Sequence, residues 1–226
     1  NNMRLKKIIK QLEGKFPLEL AEEWDNVGLL LDSTRREIKS IMLCLDITRD
    51  VVDKAVANKV DLIISHHPFI FSPLKKITTD EVNGEKILKL ARNNIAVYSM
   101  HTNIDSGIGG LNDFIIKKIG QEGKVFAISN NRSIELRKLV TSDLIDAKDK
   151  IINPLRIQKL KSAITIEELC KIIKEKLCIP NVRVVGDTAK LVKSYAICTG
   201  SGMSFSGNVK KKADVFITGD LKYHES

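Results

Sequence analysis

Short apolar runs alternate with helical stripes through the first half of the chain, and this alternation constrains the fold more than any other feature. Ile41 to Ile47, Leu62 to Ile64 and Ile95 to Met100 have the length and character of buried strands. Between them Val51, Val52, Ala55 and Val56, and then Ile87, Leu88 and Ala91, recur at helical spacing. A further helix over 111 to 119 opens after Gly109-Gly110, and Leu5, Ile8, Ile9 and Leu12 mark an amphipathic helix over 3 to 14. Strand, helix, strand, helix, strand is the pattern of a parallel sheet covered on both faces.

The second half is less regular. Val125 to Ile128 reads as a strand, Ile134 to Val140 fits either type, and 121 to 160 reads as a hinge between lobes. Thr165-Ile-Glu-Glu168 is a capping box that starts a helix over 166 to 177. Val182 to Val185, Lys193 to Thr199 and Val215 to Ile217 read as strands, with a helix expected after Gly200-Ser201-Gly202. The expectation is therefore an α/β protein of two α/β lobes, 1–122 and 123–226, with mainly parallel sheets flanked by helices. Thr218 to Ser226 reads as a strand end turning into a helix. An apolar strand without a covering helix is costly in a parallel sheet, so the natural protein is expected to continue.

Composition narrows the class. With 43% hydrophobic and 29% charged residues, the 226-residue chain has a globular balance that excludes a disordered protein. No apolar run approaches the roughly 20 residues of a membrane span, and the start lacks the apolar core of a signal peptide. Cys44, Cys170, Cys178 and Cys198 form no Cys-x-x-Cys pair and each lies in an apolar stretch. They read as reduced core thiols of a cytoplasmic protein. The net charge of +9 attracts anions, but the lysines are spread along the chain, so solvated helix faces explain them better than a nucleic-acid surface.

All four histidines lie close after apolar runs. His66 and His67 follow Ser65, His101 follows Met100, and His224 lies seven residues after Ile217. In open α/β sheets ligands gather beyond the carboxyl ends of the strands, where loops converge. Adjacent histidines on extended backbone point opposite ways, which suits two metal ions better than one. Asp105 enters from the next loop, in His101-Thr-Asn-Ile-Asp105, and its two oxygens allow it to ligate one ion or bridge two. A cap for the Ser106 to Gly110 turn is the other reading of Asp105. Imidazole with carboxylate suits Zn, Mn, Fe or Co. His101 is expected to orient a ligand by hydrogen bonding, with His224, Glu225 and Asp220 as further supporting or substrate-binding positions. Two ions need roughly six ligands or bridging waters, so these three metal positions do not complete a centre. Gly200 to Gly207 reads equally as a phosphate cradle, with Phe205 in place of a third glycine, or as a tight turn. Trp24-Asp25-Asn26 carries no chemistry by itself; Asp25 or Asn26 reads as a cap or turn residue.

Four segments, Glu23-Trp-Asp-Asn-Val-Gly-Leu-Leu30, Asp61-Leu-Ile-Ile-Ser-His-His-Pro-Phe69, His101-Thr-Asn-Ile-Asp105 and Asp214-Val-Phe-Ile-Thr-Gly-Asp220, together resemble the dinuclear-metal family named after the Ngg-interacting factor. Its bacterial members often carry the label GTP cyclohydrolase 1 type 2 homologue. The resemblance implies two lobes with a metal site between them, a hexamer built as a trimer of dimers, and His66, His67 and Asp105 as ligands of two divalent transition-metal ions. It also implies two more ligands, a His and a Glu in a late Gly-His-x-x-x-Glu-type segment, expected beyond Ser226. The span from Ile119 to Ile166 is too short for the inserted domain of the larger members. The implied activity is hydrolysis of a small nucleotide-like substrate. The alternatives are a regulatory protein that binds protein or nucleic acid, and a metal store.

Overall fold

A computed structural model describes residues 3–35, 37–129, 132–139 and 153–220. Within it the chain forms two compact units, 1–104 and 105–226.

In the first unit β1 (Met3–Arg4) runs into α1 (Leu5–Lys15), followed by β2 (Gly28–Leu31), β3 (Glu37–Ile38), β4 (Ile41–Cys44), α2 (Arg49–Ala57), β5 (Leu62–Ser65), α3 (Val82–Arg92), β6 (Ala96–Ser99) and α4 (Thr102–Ser106), the last of which crosses into the second unit. β1 pairs only with β3. The main sheet has the order β2-β6-β5-β4. β4, β5 and β6 are parallel and β2 is antiparallel to β6. Side chains of adjacent strand residues go to opposite faces. Ile63 and Val97 pack with Val52, Ala55, Ile87 and Leu90 of α2 and α3. Leu62, Ala96 and Tyr98 pack with Leu5 and Ile8 of α1 on the other face. The two central strands, β5 and β6, are apolar on both faces because both faces are covered, as the sequence led us to expect; β4, at the edge, leaves Ile41 and Leu43 exposed. Thr48 caps α2 by accepting from the Val51 N–H.

The second unit departs further from expectation. It comprises α5 (Leu111–Ile119), β7 (Gly123–Ser129), β8 (Arg132–Glu135), β9 (Arg156–Thr165), α6 (Ile166–Leu177), β10 (Leu191–Cys198), α7 (Ser206–Val209) and β11 (Val215–Thr218). The sheet order is β11-β10-β9-β7-β8, and only the β10–β11 pair is parallel. The sheets are therefore mixed, and the mainly parallel reading holds for the first unit alone. The stretch read as a hinge supplies the strands β7 and β9 at the heart of this sheet. Its polar residues misled the reading: Arg156 and Gln158 are buried, but each is hydrogen-bonded. Arg156 is wholly buried, donates to the Asp113 carboxylate and to the carbonyls of Asn153, Leu155, Ser106 and Gly107, and so leaves no donor stranded.

α5 and α6 cover one face, with Ile116, Ile119, Leu169 and Ile173 against Tyr195 and Ile197. This packing groups α5 with the second compact unit, which starts at Asp105. Val209, Phe205 and Phe216 pack with Ile128, Ile157 and Ala196 on the other face. The capping box of α6 is present in both directions. Ile134 lies in β8, which gives way to a 3-10 turn over Leu136–Lys138. Val182 to Val185 forms no strand, and Val185 is exposed. The four cysteines are free, but Cys178 is exposed at the left-handed end of α6 and is no core thiol.

Candidate metal centre

The parallel register of the first sheet builds the site. Cys44, Ser65 and Ser99 lie side by side at the carboxyl ends of β4, β5 and β6. Two residues beyond each stand Asp46, His67 and His101. The backbone extends the row, because His66 N–H donates to Cys44 O, His67 N–H to Leu45 O, and Met100 N–H to Ser65 O. The His-His-Pro turn is fixed from below. The Ser65 hydroxyl donates to the His67 carbonyl, so Ser99 donates to Ser65 (2.8 Å) and accepts from the Phe69 N–H.

Three imidazoles converge here. The ring centroids are 5.3 Å apart for His66 and His67, 5.2 Å for His66 and His101, and 5.6 Å for His67 and His101. A ligating nitrogen from each lies within 4.8 Å of the other two. Each ring also engages an oxygen through Nδ1: His66 the Met100 carbonyl at 2.9 Å, His67 the Asp46 carboxylate at 2.7 Å, and His101 the Asp25 carboxylate at 2.9 Å. Such oxygens only accept, so Nδ1 carries the proton and, in the neutral ring, the lone pair sits on Nε2. A metal-ligating histidine is oriented in this way. Burial, then the neighbouring His101 and His67, push the His66 pKa below its ordinary value and keep that ring neutral. Small rotations of the side chains would draw these nitrogens onto an ion, and the donors suit a divalent transition metal. The residues present therefore fit a metal.

The His101 ring stands with the other two, and it is held by Asp25, whose side chain is fully buried. Asp25 accepts from His101 Nδ1, from Thr102 N–H (3.0 Å) and from the Thr102 hydroxyl (2.5 Å). Burial raises its pKa, but the bonds from His101 and Thr102 outweigh that and bring it down to about 2. Thr102 Oγ1 accepts in turn from Glu22 N–H, and Asn26 Nδ2 donates to Ile70 O, so the loop before β2 is tied to the site at several points. Asp25 and Asp46 were not singled out from sequence. A signal existed for Asp46, which follows a strand just as the histidines do. Asp25 precedes its strand, and its role depends on a contact across 76 residues.

Asp105 lies on α4, four residues after His101, where the second unit begins; it is half-buried and its carbonyl accepts from Asn112 Nδ2. Asp220 belongs to the second unit and accepts from the Ser201 hydroxyl at 3.2 Å. His224 and Glu225 lie outside the described residues. The glycine stretch reads as a tight turn. A Cβ on Gly202 would stand 2.6 Å from Cys198 Cβ and 2.8 Å from Thr218 Oγ1, and the helix that follows has only four residues.

Fold and site together define a mixed α/β protein with a histidine cluster able to hold a metal. Residues 3–226 match the Duf34/NIF3 (NGG1p interacting factor 3) family, and the chain belongs to it. It is 35% identical to a GTP cyclohydrolase 1 type 2 homolog of Clostridium acetobutylicum, over 99% of this chain and 78% of that protein. It is 38% identical to the protein of the same name from Clostridium perfringens, over 98% and 79%. Among solved structures it is similar to a Bacillus cereus protein related to NIF3, with a TM-score of 0.80 and 25% identity over 99% of this chain and 84% of that one. Among the described residues, no helix is long and apolar enough to cross a membrane.

Proposed function

We propose that this protein is a metal-dependent hydrolase acting on a small nucleotide-like substrate. The observation that carries the reading is the set of three imidazoles, each held through Nδ1 by an oxygen, with ligating atoms within 4.8 Å. His66, His67 and Asp105 ligate two divalent ions of Zn, Mn, Fe or Co, and His101 stands with them. Such ions, when bound, supply Lewis acidity and lower the pKa of water from 15.7 toward about 7. The chain's own part is to hold and aim the imidazoles, through Asp25, Asp46 and the Met100 carbonyl. Trp24 stands beside His101, and Phe71 lies against Trp24 with ring centroids 6.0 Å apart; the two are 60% and 53% exposed. They offer exposed aromatic faces on which a heterocyclic ring could pack. The names of the clostridial relatives make GTP the first substrate to try.

Metal analysis of the purified protein and GTP turnover with Mn or Zn test the reading. His66→Ala, His101→Ala and Asp105→Ala each abolish turnover on this account, whereas unchanged rates in all three remove it. A regulatory role is the second reading, supported by the family's description as an interacting factor and by the +9 charge. DNA binding that falls steeply with salt and ignores chelators would favour it. We place the protein in the cytoplasm, which its four free cysteines support. We take its assembly to be a homohexamer. The exposed Ile41, Leu43 and Leu45 along and beyond the edge strand β4 support self-association, and light scattering measures it. Asp220 and His224 are assigned supporting roles at the site.

A further inference from the structure

The second sheet carries a charged feature that the metal centre does not use. On the α7 side of the sheet, Ile157 pairs with Ala196 and Phe126, and these residues belong to the apolar cluster that α7 covers. Two residues along the same face the character reverses. Lys159 lies opposite Ser194 on one neighbouring strand and opposite Lys124 on the other. The register shifts between Val192 and Ser194, Lys193 there lines the same cavity, and the turn after α7 adds Lys211 and Lys212. Lys159, Lys193, Lys211 and Lys212 line one cavity of about 490 Å³ together with Ser194 and Asp214.

Positive charge is in excess in this cavity, with four lysines against one carboxylate in the lining. Like charges directly opposite on neighbouring strands are destabilising. Among the described residues none of these lysines forms an ion pair: the salt bridges of the second unit lie elsewhere. Asp214 is the one acidic residue of the lining, and its Oδ2 already accepts from Lys193 N–H (2.8 Å), Ser194 N–H (3.0 Å) and the Ser194 hydroxyl (3.0 Å). It holds β10 in place at the register shift and is committed to the backbone. The Lys159 ammonium lies over the Phe126 ring, 5.2 Å from its centroid. Lys211 sits in the left-handed region at φ 70°, an arrangement a lysine does not adopt without cost. Four lysines lining a concave space of several hundred Å³ match a compact polyanion, because phosphate oxygens accept charge-assisted hydrogen bonds and the volume is that of a small-molecule site.

We propose that this cavity is a binding site for the phosphate chain of a small phosphorylated metabolite, built by the second unit alone. A di- or triphosphate satisfies several lysines at once, whereas a carboxylate satisfies one or two. The concave form favours a small ligand over the backbone of a nucleic acid, which needs an extended groove.

Titration of the full chain with inorganic tripolyphosphate, by calorimetry in 0.1 M salt with EDTA present, tests this directly. EDTA removes metal-bridged phosphate from the measurement, so the result is independent of the hydrolase reading. Saturable one-to-one binding is expected. Lys159→Gln/Lys193→Gln/Lys212→Gln should weaken it at least tenfold, and the control Lys117→Gln/Lys118→Gln on the exposed side of α5 should not. Lys211→Gln/Lys212→Gln, confined to the turn, serves if the triple variant fails to fold. Absence of saturable binding overturns the proposal, as does an equal loss in the control. So does a twelve-residue oligothymidylate that binds tightly where tripolyphosphate does not.

Discussion

Asp25→Asn isolates the contribution of a residue that touches the site only through His101. The carboxylate is fully buried on its side-chain atoms and accepts from His101 Nδ1 and twice from Thr102. Its pKa is lowered from 3.8 to about 2, so the folded state stabilises the charged form by roughly 2 kcal/mol. The folded value lies below the unfolded one. This stabilisation is therefore present above about pH 4 and fades as the pH falls toward 2. The amide removes the charge and turns one acceptor into a donor that faces other donors. Urea denaturation at pH 7 should show a loss of about 2 kcal/mol with an unchanged slope. The second effect is on His101, which loses the partner that keeps its proton on Nδ1. Affinity for Zn or Co should fall about 10- to 100-fold, as it does when a partner behind a ligating histidine is removed. The protein supplies its own probe, because Trp24 is the only tryptophan and its ring lies 6.0 Å from His101. Quenching of its emission by Co reports binding in both proteins. Wild-type metal affinity together with wild-type stability in Asp25→Asn would refute the reasoning.

Other substitutions test the frame around the site. Arg156→Met leaves the Asp113 carboxylate buried beside an apolar chain and should cost about 3–5 kcal/mol in denaturant melts; adding Asp113→Asn should recover part of it. Thr165→Ala removes the hydroxyl that accepts from Glu168 N–H and should cost about 1 kcal/mol, read as a lower denaturation midpoint. Gly84→Ala would gain helix propensity in an open setting, but a Cβ there would stand 2.1 Å from the Thr78 carbonyl oxygen. Thermal melts should show destabilisation of about 1–3 kcal/mol, and a stabilised variant would contradict the packing described.

The legible parts of the sequence were those whose periodicity reports burial directly. β5 and β6 read clearly because they are apolar on both faces, and the histidines read as a site because they follow those strands. The central strand β9 was illegible for the converse reason. Arg156 and Gln158 point into the interior, and only tertiary partners far along the chain, among them Asp113 and Tyr195, make that tolerable. Val182 to Val185 shows the opposite error, since β-branched residues there met no partner strand. Asp25 was invisible because its chemistry is a contact between a loop before β2 and the residue after β6, and no local pattern encodes that pairing.

The parallel arrangement of β4, β5 and β6 explains why the candidate centre belongs to the first unit. Three strands running the same way bring three carboxyl ends to one edge, in register at Cys44, Ser65 and Ser99. Two residues further on, their loops deliver Asp46, His67 and His101, with His66 alongside, without any strand having to bend. Antiparallel neighbours deliver alternate ends to opposite edges, so the second sheet, with one parallel pair, brings only two neighbouring carboxyl ends together. It also brings together a cross-strand row, Lys124, Lys159 and Ser194, where chemistry runs across the strands instead of beyond them. The two units thus place their polar residues by different rules. The first rule is visible in sequence as histidines after apolar runs; the second depends on register, and the lysines that obey it read in sequence as ordinary solvated charge.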